Sequence, residues 1–124
     1  NHDRILKPIV KELELLDYYK VGEVLICHGD EIKDVDSKLI IIGHEHCAVA
    51  LKEGVKSEKY KCFLKGSFED KVLIATPSFN LLAIGTDVLS EGRMSPYLDN
   101  IDNFDVFVVS DKVYDFGKLK DLRK

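Results

Sequence analysis

Leu39 to Ile42 run without a polar break, and the run stops at Gly43, after which His44 and His46 follow at once. An uninterrupted run of isoleucine and leucine predicts a strand buried on both faces rather than half-exposed. Gly43 lets the backbone turn without a Cβ clash. His44 and His46, two apart in an extended segment, are then expected to point to the same side.

Other apolar runs place elements on either side of this strand. Ile5 to Glu12 carries Pro8 near its start, where a first helical turn tolerates a missing N–H, and predicts a short helix. Leu13 to Lys20 and Glu23 to Cys27 read as two strands of a hairpin turning at Val21-Gly22, the second ending in His28-Gly29-Asp30. Glu31 to Ser37 is a short charged connector. Beyond His46, the alternation of Cys47, Val49 and Leu51 up to Gly54 predicts a half-buried strand. Lys59, Lys61 and Lys65 alternate with Tyr60, Cys62 and Leu64, with Phe63 interrupting the polar face, as on the flank of a sheet.

Gly66 to Lys71 predicts a turn, and Val72 to Ala75 a short buried strand closing at Thr76-Pro77-Ser78-Phe79-Asn80. Leu81 to Asn103, with Gly85, Gly92 and Pro96 and no sustained period, reads as a long loop with one helical turn near Tyr97. Loops of that length are usually functional or mobile. Val106 to Val109 is a final strand, Lys112 to Phe116 its hairpin partner, and Lys118 to Lys124 a charged tail. The chain carries no internal repeat and no low-complexity tract.

Composition narrows the class. A chain of 124 residues, 45% of them hydrophobic, holds one domain with material for a core. The net charge of −4 means that attraction to a polyanion must come from a local feature such as a bound metal. Cys27, Cys47 and Cys62 are odd in number and show no CxxC spacing, which predicts free, packed thiols in a reducing compartment. No apolar stretch approaches the roughly 20 residues that cross a bilayer, and the chain opens on Asn-His-Asp-Arg rather than a signal sequence. The expected location is cytoplasmic, with no membrane partner.

All four histidines, His2, His28, His44 and His46, fall within the first 46 residues. Carboxyl ends of neighbouring strands converge on one rim of an α/β sheet, where ligands bind. Imidazoles gathered there suit Mn, Fe or Zn and are poor for Mg alone. The competing reading has each histidine capping a strand through a backbone carbonyl. Ser78 sits in no Gly-x-Ser-x-Gly elbow, so a serine hydrolase has little support.

Asn1-His2-Asp3, then His28-Gly29, then Gly43-His44-Glu45-His46 resemble, in order, the last three signature blocks of the calcineurin-like metallophosphoesterases. Cys62-Phe63-Leu64 and Pro77-Ser78-Phe79-Asn80 are similar to segments of small bacterial and archaeal members, including the DNA-ligase-associated type. The resemblance implies a metal-dependent phosphoester hydrolase with a dinuclear site of two divalent ions, Mn first, with Fe or Zn as alternatives. Asn1, His28 and His44 would bind one ion and His46 the other. His2 would be the acid that protonates the leaving oxygen, its ring oriented by Asp3. Two ions about 3.5–4 Å apart polarise a phosphoryl group and activate water.

The family's Asp-x-His and Gly-Asp-x-x-Asp blocks, which supply the bridging carboxylate, are absent from this sequence. Residues 1–124 are therefore expected to be the C-terminal portion of one metallophosphoesterase domain, with the missing N-terminal half as partner. The implied fold is α/β, the C-terminal half of a two-sheet mixed β-sandwich flanked by helices. The implied substrate is a phosphorylated small molecule, a nucleotide or a nucleic-acid end, as monoester or diester. Two other functions stay open: a non-catalytic protein-binding scaffold of the same fold, and a domain with a structural zinc site, which needs four closed protein ligands.

Overall fold

The computed structural model describes residues 17–89 and 95–122. The helix expected over Ile5 to Glu12 and the expected strand up to Leu16 lie outside them, as do Asn1, His2 and Asp3. Strands β1 (Tyr18–Val21) and β2 (Val24–Cys27) form the expected antiparallel hairpin, turning at Gly22-Glu23. Strand β3 (Leu39–Ile42) lies parallel to β2, and β6 (Lys71–Ala75) lies parallel to β3 on its other side. Strand β4 (Cys47–Glu53) forms a hairpin with β5 (Lys56–Phe68), and β5 also pairs with β6 and with β8 (Asp105–Val109). The two-residue β7 (Thr86–Asp87) adds to β4 in parallel, and β9 (Val113–Lys118) closes a hairpin on β8. The molecule is thus strand-rich, built on a mixed sheet, with helix among the described residues confined to α1 (Leu119–Leu122). No described helix is long and apolar enough to cross a membrane.

Strand periodicity sorts the side chains into two faces. Leu25, Cys27, Ile40, Ile42, Cys62, Leu64, Leu73, Ala75, Val106 and Val108 alternate along five strands and form one buried layer. Their neighbours Ile26 and Val72 face out and are each about two-fifths exposed, with Leu39 and Ile41 half-buried. The expectation that β3 is buried on both faces is therefore corrected. The inner face is sealed, whereas no described element closes over the outer one.

Among the described residues, irregular backbone supplies much of what covers the inner face. Ser95, Tyr97, Leu98, Ile101 and Phe104 are buried from the segment after β7, and a single turn stands near Tyr97, closed by the Leu98 N–H donating to Ser95 O at 3.1 Å. Tyr97 packs edge-on against Phe68, with ring centroids 4.8 Å apart.

Packing narrows two sequence expectations. Gly66 does not turn the chain: β5 runs on to Phe68, and the turn falls at Glu69-Asp70, where Glu69 takes a left-handed φ of 57°. Gly66 is paired with Leu73, and a Cβ there would lie 2.2 Å from the Phe104 ring, so its role is close approach. The charged tail is also anchored. Leu119 is fully buried, and its N–H donates to Phe104 O at 2.9 Å.

Cys47 and Cys62, on adjacent strands β4 and β5, are fully buried free thiols. Desolvation pushes both thiols up, Cys62 from 9.0 to about 12. An unfolded thiol ionises near 9.0, so between about pH 9 and 12 only the unfolded chain loses this proton, and stability falls as pH rises. The urea midpoint is expected to drop between pH 8 and pH 10 by an amount equivalent to about 1 kcal/mol per buried thiol. The drop should be smaller in Cys62→Ala; an equal drop would assign it to other groups.

Candidate functional site

Strands β2, β3 and β6 end together. Ile26 pairs with Ile41, Ile41 with Ile74 and Ile42 with Ala75, so the residues that follow, His28, Gly43 and Thr76, leave the sheet along one rim. This rim is built mainly by backbone. The N–H groups of Gly43 and His44 both donate to His28 O, at 3.0 and 2.8 Å. Thr76 donates to Ile42 O through its N–H at 2.8 Å and its hydroxyl at 3.2 Å.

That lattice brings His28 and His44, sixteen residues apart in sequence, into contact. His44 Nδ1 lies 2.7 Å from His28 Nε2, with the rings nearly perpendicular at 79° and centroids 4.6 Å apart. One ring nitrogen donates to the other, the tautomers deciding which. His44 is buried and His28 half-buried, which makes this the most protected imidazole pair among the described residues.

His46 behaves differently from the expectation of two histidines side by side on an extended segment. Residues 44–45 form a turn, His46 adopts a left-handed φ of 51°, and it is exposed. The turn is closed locally, the His46 N–H donating to Gly43 O at 3.3 Å, and it is held from outside as well. His46 O accepts the Thr86 N–H at 3.0 Å where β7 joins β4, and Gly85 packs against that same carbonyl. The turn thus cancels the period-two rule that would have aligned the rings. Gly43 is not among the positive-φ residues, so the unusual backbone falls on His46 instead. Among the described residues no group of three or more His, Cys, Asp or Glu side chains converges as a metal site.

Two participants were not read from the sequence. Glu45, between the histidines, turns inward and is only 3% exposed; its Oε1 accepts the Ser95 N–H. Ser95 Oγ in turn donates to Gly29 O at 2.7 Å and accepts the Tyr97 N–H at 3.3 Å. Glu45 and Ser95 are 50 residues apart, and no local pattern links them.

Beside the rim, residues 76–85 form a loop whose ends bond to Ile42 and contact His46. Lys61 Nζ pins it by donating to Ser78 O at 2.8 Å and Asn80 O at 2.7 Å, while Phe79, Leu81 and Leu82 stand almost wholly in solvent.

Fold and site together define a strand-rich, mixed-sheet domain with a part-buried imidazole pair at the carboxyl ends of parallel strands. No family model, curated protein or solved structure matches the chain.

Proposed function

We propose that this chain is the C-terminal part of a calcineurin-like metallophosphoesterase, a metal-dependent hydrolase of phosphate esters with a two-sheet mixed sandwich fold. The observation that carries the reading is the meeting of His28 and His44, whose ring nitrogens lie 2.7 Å apart. These are the two described residues that the sequence resemblance assigns, with Asn1, to a single ion. Two imidazole nitrogens bound to one ion at about 2.0–2.1 Å stand roughly 3 Å apart, so the pair reaches a ligand geometry by separating a few tenths of an ångström.

In this reading His28 Nε2 and His44 Nδ1 are neutral donors to the first ion, and the exposed His46 serves the second. Bound divalent ions, Mn with Fe or Zn as alternatives, supply positive charge and an activated water that this acidic chain does not provide itself. By the sequence resemblance, His2 would protonate the leaving oxygen, with Asp3 orienting its ring. The bridging and remaining carboxylates come from a further segment of the domain, since the sequence holds neither Asp-x-His nor Gly-Asp-x-x-Asp. The substrate is a phosphorylated small molecule, a nucleotide or a nucleic-acid end.

Manganese titration of the chain tests the ligand pair directly. His28→Ala and His44→Ala are each expected to weaken binding by about 100-fold or more, and undiminished affinity in both would reject the reading. With the carboxylate-bearing segment present, an aryl phosphate diester should be hydrolysed, and His2→Ala should lose rate while metal content is unchanged. Two bound ions without turnover would favour a protein-binding scaffold, and one tightly held zinc without an open position a structural site.

A further inference from the structure

The backbone bonds from Gly43 and His44 to His28 O set the distance between the two histidine-bearing turns, but not the angle between them. A second tie runs around the other side. The Glu45 carboxylate accepts the Ser95 N–H, and Ser95 Oγ donates to Gly29 O, the residue after His28. Glu45 follows His44, so the path His44, Glu45, Ser95, Gly29, His28 is a closed circuit of covalent and hydrogen bonds that includes both histidines. Its members Glu45, Ser95 and Gly29 are all buried.

Burying a carboxylate is costly unless it is well bonded, and a carboxylate bond to a backbone N–H is shorter and about twice as strong as a neutral one. A residue needed only to fill space there would be apolar. Ser95 is held in its turn by Tyr97, whose hydroxyl accepts the Lys33 N–H at 2.8 Å on the connector that leaves His28. The circuit is therefore braced from the core side.

The geometry points to Glu45 as a positioning residue that, through Ser95, fixes the His28 and His44 rings relative to each other. This rests on the metal reading only for its consequence, which is that the same circuit sets the affinity of the pair for an ion. Outer partners that orient metal-binding imidazoles typically change affinity by about 10–100-fold when removed.

Three variants of the whole chain test it: Glu45→Ala, Glu45→Gln, which keeps the Oε1 acceptor, and Ser95→Ala, which keeps the N–H bond to Glu45 and removes the Oγ bonds to Gly29 O and the Tyr97 N–H. The first readout is the nuclear magnetic resonance signature of the ring pair, meaning through-space contacts between the His28 and His44 ring protons and the nitrogen shifts across their hydrogen bond. The second is manganese affinity. Glu45→Ala and Ser95→Ala should lose the ring signature and bind manganese about 10–100-fold more weakly, with Glu45→Gln within about 3-fold of the parent.

If Glu45→Ala does not fold, Ser95→Ala carries the test alone. An unchanged ring signature in a folded Glu45→Ala or Ser95→Ala chain would overturn the inference, as would a glutamine variant as damaged as the alanine one. Failure of the parent chain to bind manganese would strike the proposed function instead, and the ring signature would still decide the role of Glu45.

Discussion

Gly85→Ala is expected to cost about 3 kcal/mol or more of folding stability, the largest effect of any single methyl addition near the site. Gly85 has φ of +113°, a region that residues with a Cβ rarely enter. The added Cβ would also stand 1.8 Å from His46 O and 2.9 Å from His46 C. The obstacle is backbone, so no rotamer change relieves it. That carbonyl already accepts the Thr86 N–H, and moving it would break the pairing of Cys47 with Thr86 that seats β7 on β4. Gly54→Ala is the internal control. It too has positive φ, +63°, but nothing lies within 4 Å of the built Cβ, so it should cost only about 1 kcal/mol. Urea unfolding of the two variants checks the difference; equal midpoints would show that the 76–85 loop can shift without loss.

Tyr97→Ala is expected to destabilise by about 4 kcal/mol, in the range for emptying an aromatic site in a core. Tyr97 is 2% exposed, rests on Phe68, and accepts hydrogen bonds from the Lys33 N–H and, at 3.9 Å, the Cys27 thiol. Two contributions therefore separate. Tyr97→Phe keeps the ring and loses only the hydroxyl bonds, for about 1 kcal/mol. The alanine variant also opens a cavity over the inner face of β2 and β5. A phenylalanine variant as unstable as the alanine one would shift the weight from packing to the bond on Lys33.

Local pattern made much of the sheet legible. The β1–β2 hairpin, β3, β4, β6 and the β8–β9 hairpin all follow from short apolar or alternating runs bounded by turn residues. The two-residue β7 was not legible, because Thr86-Asp87 exists as a strand only where it touches β4. Nor was the length of β5, since Gly66 looks like a turn until Phe104 is seen lying over it. At the site, the convergence of His28 with His44 followed from strand ends sharing a rim, whereas pairing His44 with His46 by spacing alone did not survive the turn at 44–45.

By itself, the sequence determined most of the segments that are strands, the apolar face of those in which apolar and polar residues alternate, and that histidines stand where strands stop. These are one-dimensional properties, carried by a period of two and by the backbone habits of single residues. Only the tertiary structure decided that Glu45 turns inward to Ser95, that His46 turns outward, and that the stretch from Ser95 to Phe104 packs into the core. Each of those outcomes depends on bonds between residues dozens of positions apart, joined for His46 by the local bond to Gly43 O, and no local spacing encodes which distant partner a group will find.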